Sequence, residues 1–438
     1  MKYHLNISKI SLLKLSIPIF FANIATPLVG LIDTGLMGHL GSVNFLTAAS
    51  ISTAVITMIF WSFGFLRMGT VGLVSQAVGK GDYREIVLTL LRNSSLAIII
   101  SIIIIIFQYP LILLIEHFFS PSILTQTLIE KYISIRIFSA PAELTIYVLI
   151  GFYLGLQKTN ISSLIVMTFC SLNILLSTFF VIQLNLDISG VAFGTLVSAY
   201  FTAMIYLIYT YFFIIKYFKI IPRFKKIFNK KKLVRLLSIN INIFIRTILL
   251  TFAFLWVTYL SSKLGEDYIA VNSILMQFVM IAAFFLDAYA FSTEGIVGYT
   301  IGRSNKKAFI NSAKNSFELS FYSGIVISIL YLLFFKFIVN SLTTIDILRY
   351  VTYEYLIWVV LIPPVASFCY QYDGIFIGAS QTAEIRNAMI ISVAFFIFIS
   401  IHMTNYLHNH GLWLSLVLFM IIRSLTLSMY FSNIFKKF

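Results

Sequence analysis

WSFGFLRMGTVGLVSQAVG (61–79) and FFLDAYAFSTEGIVGYTIG (284–302) occupy the same place in two halves of one chain, 223 residues apart. At this offset Gly72 meets Gly295 and Gly79 meets Gly302. The register holds outward in both directions. Gly151 meets Gly374, Gly155 meets Gly378, Pro141 meets Pro364, and Ser50, Ile51 and Thr159 meet Ser273, Ile274 and Thr382. Matched Gly and Pro mark close helix contacts and bends, which a shared bias toward Ile and Phe would not produce. The chain therefore carries an internal repeat.

Composition says what the repeat is made of. Hydrophobic residues form 60% of the 438 and charged residues 11%, with a mean hydropathy of +0.96. A soluble chain of this length has no means of hiding so much apolar surface, so the surplus faces lipid. Apolar runs near 11–38, 46–78, 90–115, 132–156, 161–183 and 189–215, then 235–260, 268–300, 314–339, 350–379, 387–406 and 411–433, predict twelve transmembrane helices. Six fall in each repeat, and an even number gives both halves the same orientation in the membrane. The expected fold is all-α and integral to the membrane, with two pseudo-symmetric six-helix bundles. The expected domains are an N-terminal lobe 1–215, a basic linker 216–234 and a C-terminal lobe 235–438. This layout favours a substrate chamber between lobes and alternating access.

The formal charge of +15 is positional. Most of the 31 Lys and Arg gather at one side of the predicted topology: Lys2, Lys9 and Lys14, then Lys80, Arg84 and Arg92, then the central loop with Arg223, Lys225, Lys226 and Lys230 to Lys232. Arg303, Lys306, Lys307, Arg386, Lys436 and Lys437 join them, while Lys131, Arg136, Lys263, Lys336 and Arg349 fall opposite. This is a positive-inside pattern, which puts both termini in the cytoplasm of a multi-pass plasma (inner) membrane protein. Its partners are then membrane lipids and small molecules, and nucleic acid is not needed to explain the charge. The first apolar run is too long for a signal core and contains Asp33, so no cleaved leader is expected.

Enzyme chemistry finds little support. There is no phosphate-binding glycine loop, zincin helix or serine elbow, and no large loop outside the membrane. Cys170 and Cys369 read as packing residues, His408 and His410 lack further metal ligands, and the sequons at Asn6, Asn93 and Asn160 are short enough to arise by chance.

Where the repeat breaks, function becomes a candidate. Asp33 falls opposite Trp256, Asp287 opposite Gly64, Glu294 opposite Val71 and Asp373 opposite Ile150. Carboxylates are rare in apolar helices, and burial strengthens their hold on a proton. Such a group loads from one side and unloads to the other. Asp33 follows Pro18 and Pro27, which allow its helix to bend. Asp287 and Glu294, seven residues apart, share one helix face. Glu143 follows Pro141. Structural pairing with Arg67 or Arg246 is the competing reading for these acids, and Arg67 serves equally as a cavity residue or a salt-bridge partner. Met37 and Phe60 are assigned to the cavity wall.

LVGLIDTGLMGHLG (28–41), the stretch 61–79, SAPAELTIYVLIGFYLGLQKT (139–159), the stretch 284–302 and YQYDGIFIGAS (370–380) together resemble the multidrug and toxic compound extrusion (MATE) family, most closely its DNA-damage-inducible protein F (DinF)-like branch. The resemblance spans nearly the whole chain. It implies a monomeric antiporter without a bound cofactor, exporting small and often lipophilic cations against a proton or sodium gradient, with protons the expected ion. It also makes Asp33 the first-helix coupling acid, with Asp287, Glu294 and Asp373 acids of the second lobe. Relatives often carry an Asn and, four residues on, an Asp in the fifth helix. Here Asn173 is followed by Ser177, both assigned to the substrate cavity, and Glu143 is the candidate to compensate as an ion-coupling acid. A lipid-linked oligosaccharide flippase and a transport-inactive scaffold are the alternatives.

Overall fold

The computed structural model describes residues 8–40, 42–219 and 227–438. Lys2, Asn6, Gly41, Arg223, Lys225 and Lys226 lie outside these residues. Among the described residues the chain is helical, with no strand. Eleven stretches are long and apolar enough to cross a membrane, and the last, Thr382–Lys437, is broken at His408 (φ 50°, ψ −133°). The break yields the twelfth apolar segment, where the sequence reading had placed a turn between 406 and 411. Leu333, Phe337 and Met429 are 70%, 72% and 78% exposed, as lipid-facing side chains should be.

The helices in chain order are α1 (Lys9–Gly38), α2 (Val43–Ser62), α3 (Phe65–Lys80), α4 (Tyr83–Ile106), α5 (Gln108–Phe119), α6 (Ile123–Arg136), α7 (Ala140–Gly155), α8 (Thr159–Ile182) and α9 (Asp187–Phe218). They continue as α10 (Lys230–Leu264), α11 (Glu266–Gly302), α12 (Lys306–Leu342), α13 (Asp346–Glu354), α14 (Leu356–Gly378) and α15 (Thr382–Tyr430). Several expected single helices are interrupted, each for a local reason. The span 46–78 splits at Phe63 and Gly64, whose amides turn back to Phe60 and Trp61 in tight three-residue bonds. The span 132–156 passes through a 3₁₀ turn at Ile137–Ser139, just before Pro141, which has no N–H to donate. By contrast, α1 stays one helix through Pro18 and Pro27.

By contact, the chain forms two compact units. One runs from Phe21 to Leu236, and the other joins the described residues up to Phe20 to Leu237–Phe438. Assigning the start of α1 to the second unit departs from a simple 1–215 lobe. Ser16 donates to Ser292 (2.9 Å), Lys9 pairs with Glu318 (2.5 Å) and Phe20 packs on Phe285 (centroids 4.0 Å apart). The connector expected over 216–234 is helical at both margins, in the ends of α9 and α10.

The repeat is visible in the packing inside each unit. In the first, α3 lies on α7, and a Cβ added at Gly155 would meet Val74 Cβ at 2.8 Å. In the second, α11 lies on α14, and a Cβ added at Gly378 would meet Val297 Cβ at 3.1 Å. Val74 and Val297 are themselves 223 residues apart. The following helix starts are equivalent too: Asp82 accepts from Glu85 N–H and Asn305 from Ala308 N–H, both at 2.9 Å. The first unit's core gathers Met37, Ile56, Phe60, Ile129 and Ile133. The second gathers Phe278, Tyr331, Phe335 and Trp413.

A buried charge cluster in each unit

In the first unit, α1, α2, α6, α7 and α8 deliver polar side chains to one place. Asp33 comes from α1, and its Oδ1 is shielded from solvent with no hydrogen-bond partner among the described residues. Arg136 and Ser177 act on it electrostatically, although Ser177 Oγ makes no hydrogen bond of ordinary length. Arg136 ends α6 and pairs with Glu143 of the first turn of α7 at 2.5 Å. Its guanidinium also donates to Ser139 Oγ and sits 5.1 Å from the centre of the Phe60 ring. Ser139 in turn donates to Glu143 Oε1 at 2.8 Å. Tyr132, on the inner face of α6, lies 3.4 Å from the Thr53 hydroxyl. One turn from Ser177 on α8, Asn173 donates to Thr195 of α9 at 2.8 Å.

In the charge pattern Arg136 counts only as one of the few cations opposite the basic loops. The structure places it inside the unit, with its side chain 12% exposed. The signal was available in the seven-residue spacing to Glu143, but the 3₁₀ turn between them hid the pairing. Met37 and Phe60 are packed into the apolar core of the first unit. Arg67 is buried on α3, close enough to Tyr147 to act on it.

The second unit holds a different arrangement. Asp373 on α14 accepts through Oδ2 from both Arg246 of α10 and Arg423 of α15. All three are buried, and Asp373 Oδ1 with both Nε atoms finds no further partner among the described residues. This double pairing disfavours an ion-carrying role for Asp373, because the positive charge of two guanidiniums already exceeds its single negative one. Asp287 on α11 acts on Cys369 and Tyr370 of α14. Glu294, two turns further along α11, is 1% exposed. Its neighbour Thr293 contacts Ser316 (2.6 Å) and Gln371 (3.2 Å), a polar seam absent from the sequence reading.

The repeat position of Asp33 is filled by Trp256, whose indole donates to Ser400 at 3.0 Å. Ser400 is the repeat counterpart of Ser177. Two equivalent helix crossings thus carry a closed Trp–Ser bond in one unit and an open Asp–Ser approach in the other.

The basic residues Arg92 and Lys232 converge on Glu85 at 2.9 and 3.3 Å, joining the starts of α4 and α10. Asn93 is fully buried and donates to Thr89 O, so this sequon has no room for a glycan. Cys170 and Cys369 are free and buried. His410 Nδ1 accepts from the Trp358 indole at 3.0 Å, and among the described residues no three His, Cys, Asp or Glu side chains gather as metal ligands.

The MatE family profile matches this chain twice, over residues 18–179 and 243–404. The chain belongs to the MatE family. It is 32% identical over 414 residues to DNA damage-inducible protein F of Escherichia coli (strain K12), covering 94% of this chain and 90% of that protein. With multidrug resistance protein NorM of Vibrio cholerae it shares 24% identity over 305 residues, 68% of this chain and 65% of the other. A crystal structure titled MATE in the straight conformation superposes with a TM-score of 0.88 at 17% identity, over 98% of this chain and 97% of that one. The two profile matches cover one copy of the repeat each. As a MatE protein, the chain is a multi-pass membrane transporter of small molecules and not an enzyme.

Proposed function

We propose that this transporter is an ion-driven antiporter, exporting small lipophilic cations in exchange for protons taken up through Asp33. The observation that carries the reading is the unpartnered, solvent-shielded Oδ1 of Asp33 in a membrane helix, at the point where the repeat elsewhere places a hydrogen-bonded tryptophan. A carboxylate there gains by binding a proton or a cationic substrate, and the two exclude each other on charge. That competition is the essence of antiport. A proton needs a single oxygen, whereas a metal cation takes several, and among the described residues the hydroxyl neighbours acting on Asp33 are those of Ser177 and Tyr132. The multidrug naming of the Vibrio cholerae relative supports drug-like cations as the substrate class.

The positive-inside pattern supports cytoplasmic termini in a plasma (inner) membrane, and the chain is read as a monomer. A lipid-oligosaccharide flippase would draw on free cationic side chains, but Arg246 and Arg423 are engaged by Asp373. The test is efflux of ethidium from proteoliposomes under separate proton and sodium gradients. Wild type is expected to respond to the proton gradient, and Asp33→Asn to lose about tenfold or more of that flux. Equal flux from both proteins removes Asp33 from the mechanism, and response to sodium alone removes the proton.

A further inference from the structure

Counting charge in the first unit's cluster gives Arg136 one positive and Glu143 one negative, joined directly, so among the described residues Asp33 is the cluster's carboxylate left without a direct cationic partner. Arg136 is nevertheless within electrostatic reach of Asp33. Two carboxylates thus compete for one guanidinium, and Glu143 holds it. Ser139 braces that choice by donating to the same Glu143 oxygen and receiving from the same guanidinium nitrogen. The Phe60 ring beneath Arg136 further restricts its swing.

We propose that Arg136 and Glu143 are positioning residues for transport: Glu143 keeps the guanidinium away from Asp33, so that the Asp33 charge remains available to a proton or a cationic substrate. This rests on the antiport reading above and revises the expectation that Glu143 itself carries an ion. The proton on Asp33 comes from water on one side and returns to water on the other, and no other group changes its bonding. The other titratable or charged groups facing the pair are Tyr132 of α6, Tyr147 of α7 and Arg67 of α3. The tyrosines add hydroxyls without charge, and Arg67 lies within electrostatic reach of Tyr147.

The consequence is a charge-balance rule that a merely structural salt bridge would not obey. Glu143→Gln releases Arg136 to pair with Asp33, so proton-driven ethidium flux in proteoliposomes is expected to fall about tenfold or more. Removing the released cation as well, in Glu143→Gln/Arg136→Gln, restores an available Asp33 and is expected to return flux to within about threefold of wild type. Unchanged flux in Glu143→Gln overturns the proposal. So does a double variant that is monodisperse in size-exclusion chromatography yet as inactive as the single one.

A second readout needs no transport. Infrared difference spectra of the purified protein report the pH-dependent carboxyl band of Asp33, assigned by its loss in Asp33→Asn. That band is expected to vanish in Glu143→Gln and reappear in the double variant. Bands obeying this pattern in a protein without proton-driven flux would sink antiport while leaving the charge arrangement standing, and a band indifferent to Glu143→Gln would sink the arrangement itself.

Discussion

Asp33 and Trp256 hold equivalent places, and each faces one of two equivalent serines, Ser177 and Ser400. The acid was legible in the sequence because it violates both the repeat and the hydropathy of its helix. Its surroundings were not, because Arg136 approaches from α6, and ion pairing between helices leaves no trace in local composition. The same holds for Asp373, where Arg246 was a foreseen partner but the second guanidinium, Arg423, comes from another helix. That triad gives a residue-scale prediction. Asp373→Asn leaves two buried guanidiniums without their anion and is expected to destabilise the protein by about 3–5 kcal/mol. A fluorescence-detected melting curve in detergent reads this directly, and an unshifted midpoint would show that the pairing contributes nothing.

At the scale of helices, the pairs α3 with α7 and α11 with α14 are held close by glycine. Their Gly pattern was the clearest feature of the sequence, since only a missing side chain lets two backbones approach so nearly. Gly155→Val pushes a side chain into Val74 and Gly378→Val into the Glu294 carbonyl and Val297, and each is expected to cost about 1–3 kcal/mol of stability. Similar drops in melting midpoint would show that the two crossings are energetically equivalent, and a harmless substitution in either would show that its neighbours yield. Helix ends were less legible. Hydropathy stays apolar across Phe63 and Phe107, where the structure breaks its helices, because lipid exposure rewards apolar residues whether or not the backbone turns.

For the whole molecule, twelve apolar segments and the doubled architecture were readable from the chain alone, because lipid leaves the backbone few ways to satisfy its hydrogen bonds. Orientation is open to a direct test. In a protein carrying Cys170→Ala and Cys369→Ala, Lys231→Cys is expected to react with an impermeant maleimide in inverted membrane vesicles and stay unlabelled in right-side-out ones. The opposite pattern would reverse the topology. What sequence comparison of the two halves did not reveal is that the opening of α1 sides with the second unit. During synthesis this stretch is made before residues 21–236, yet Ser292 and Glu318, which receive Ser16 and Lys9, are made only after them. The opening of α1 must therefore wait for a later part of the chain, and a ribosome stalled before α11 would leave that helix start in the bilayer without the serine and the carboxylate that later hold it.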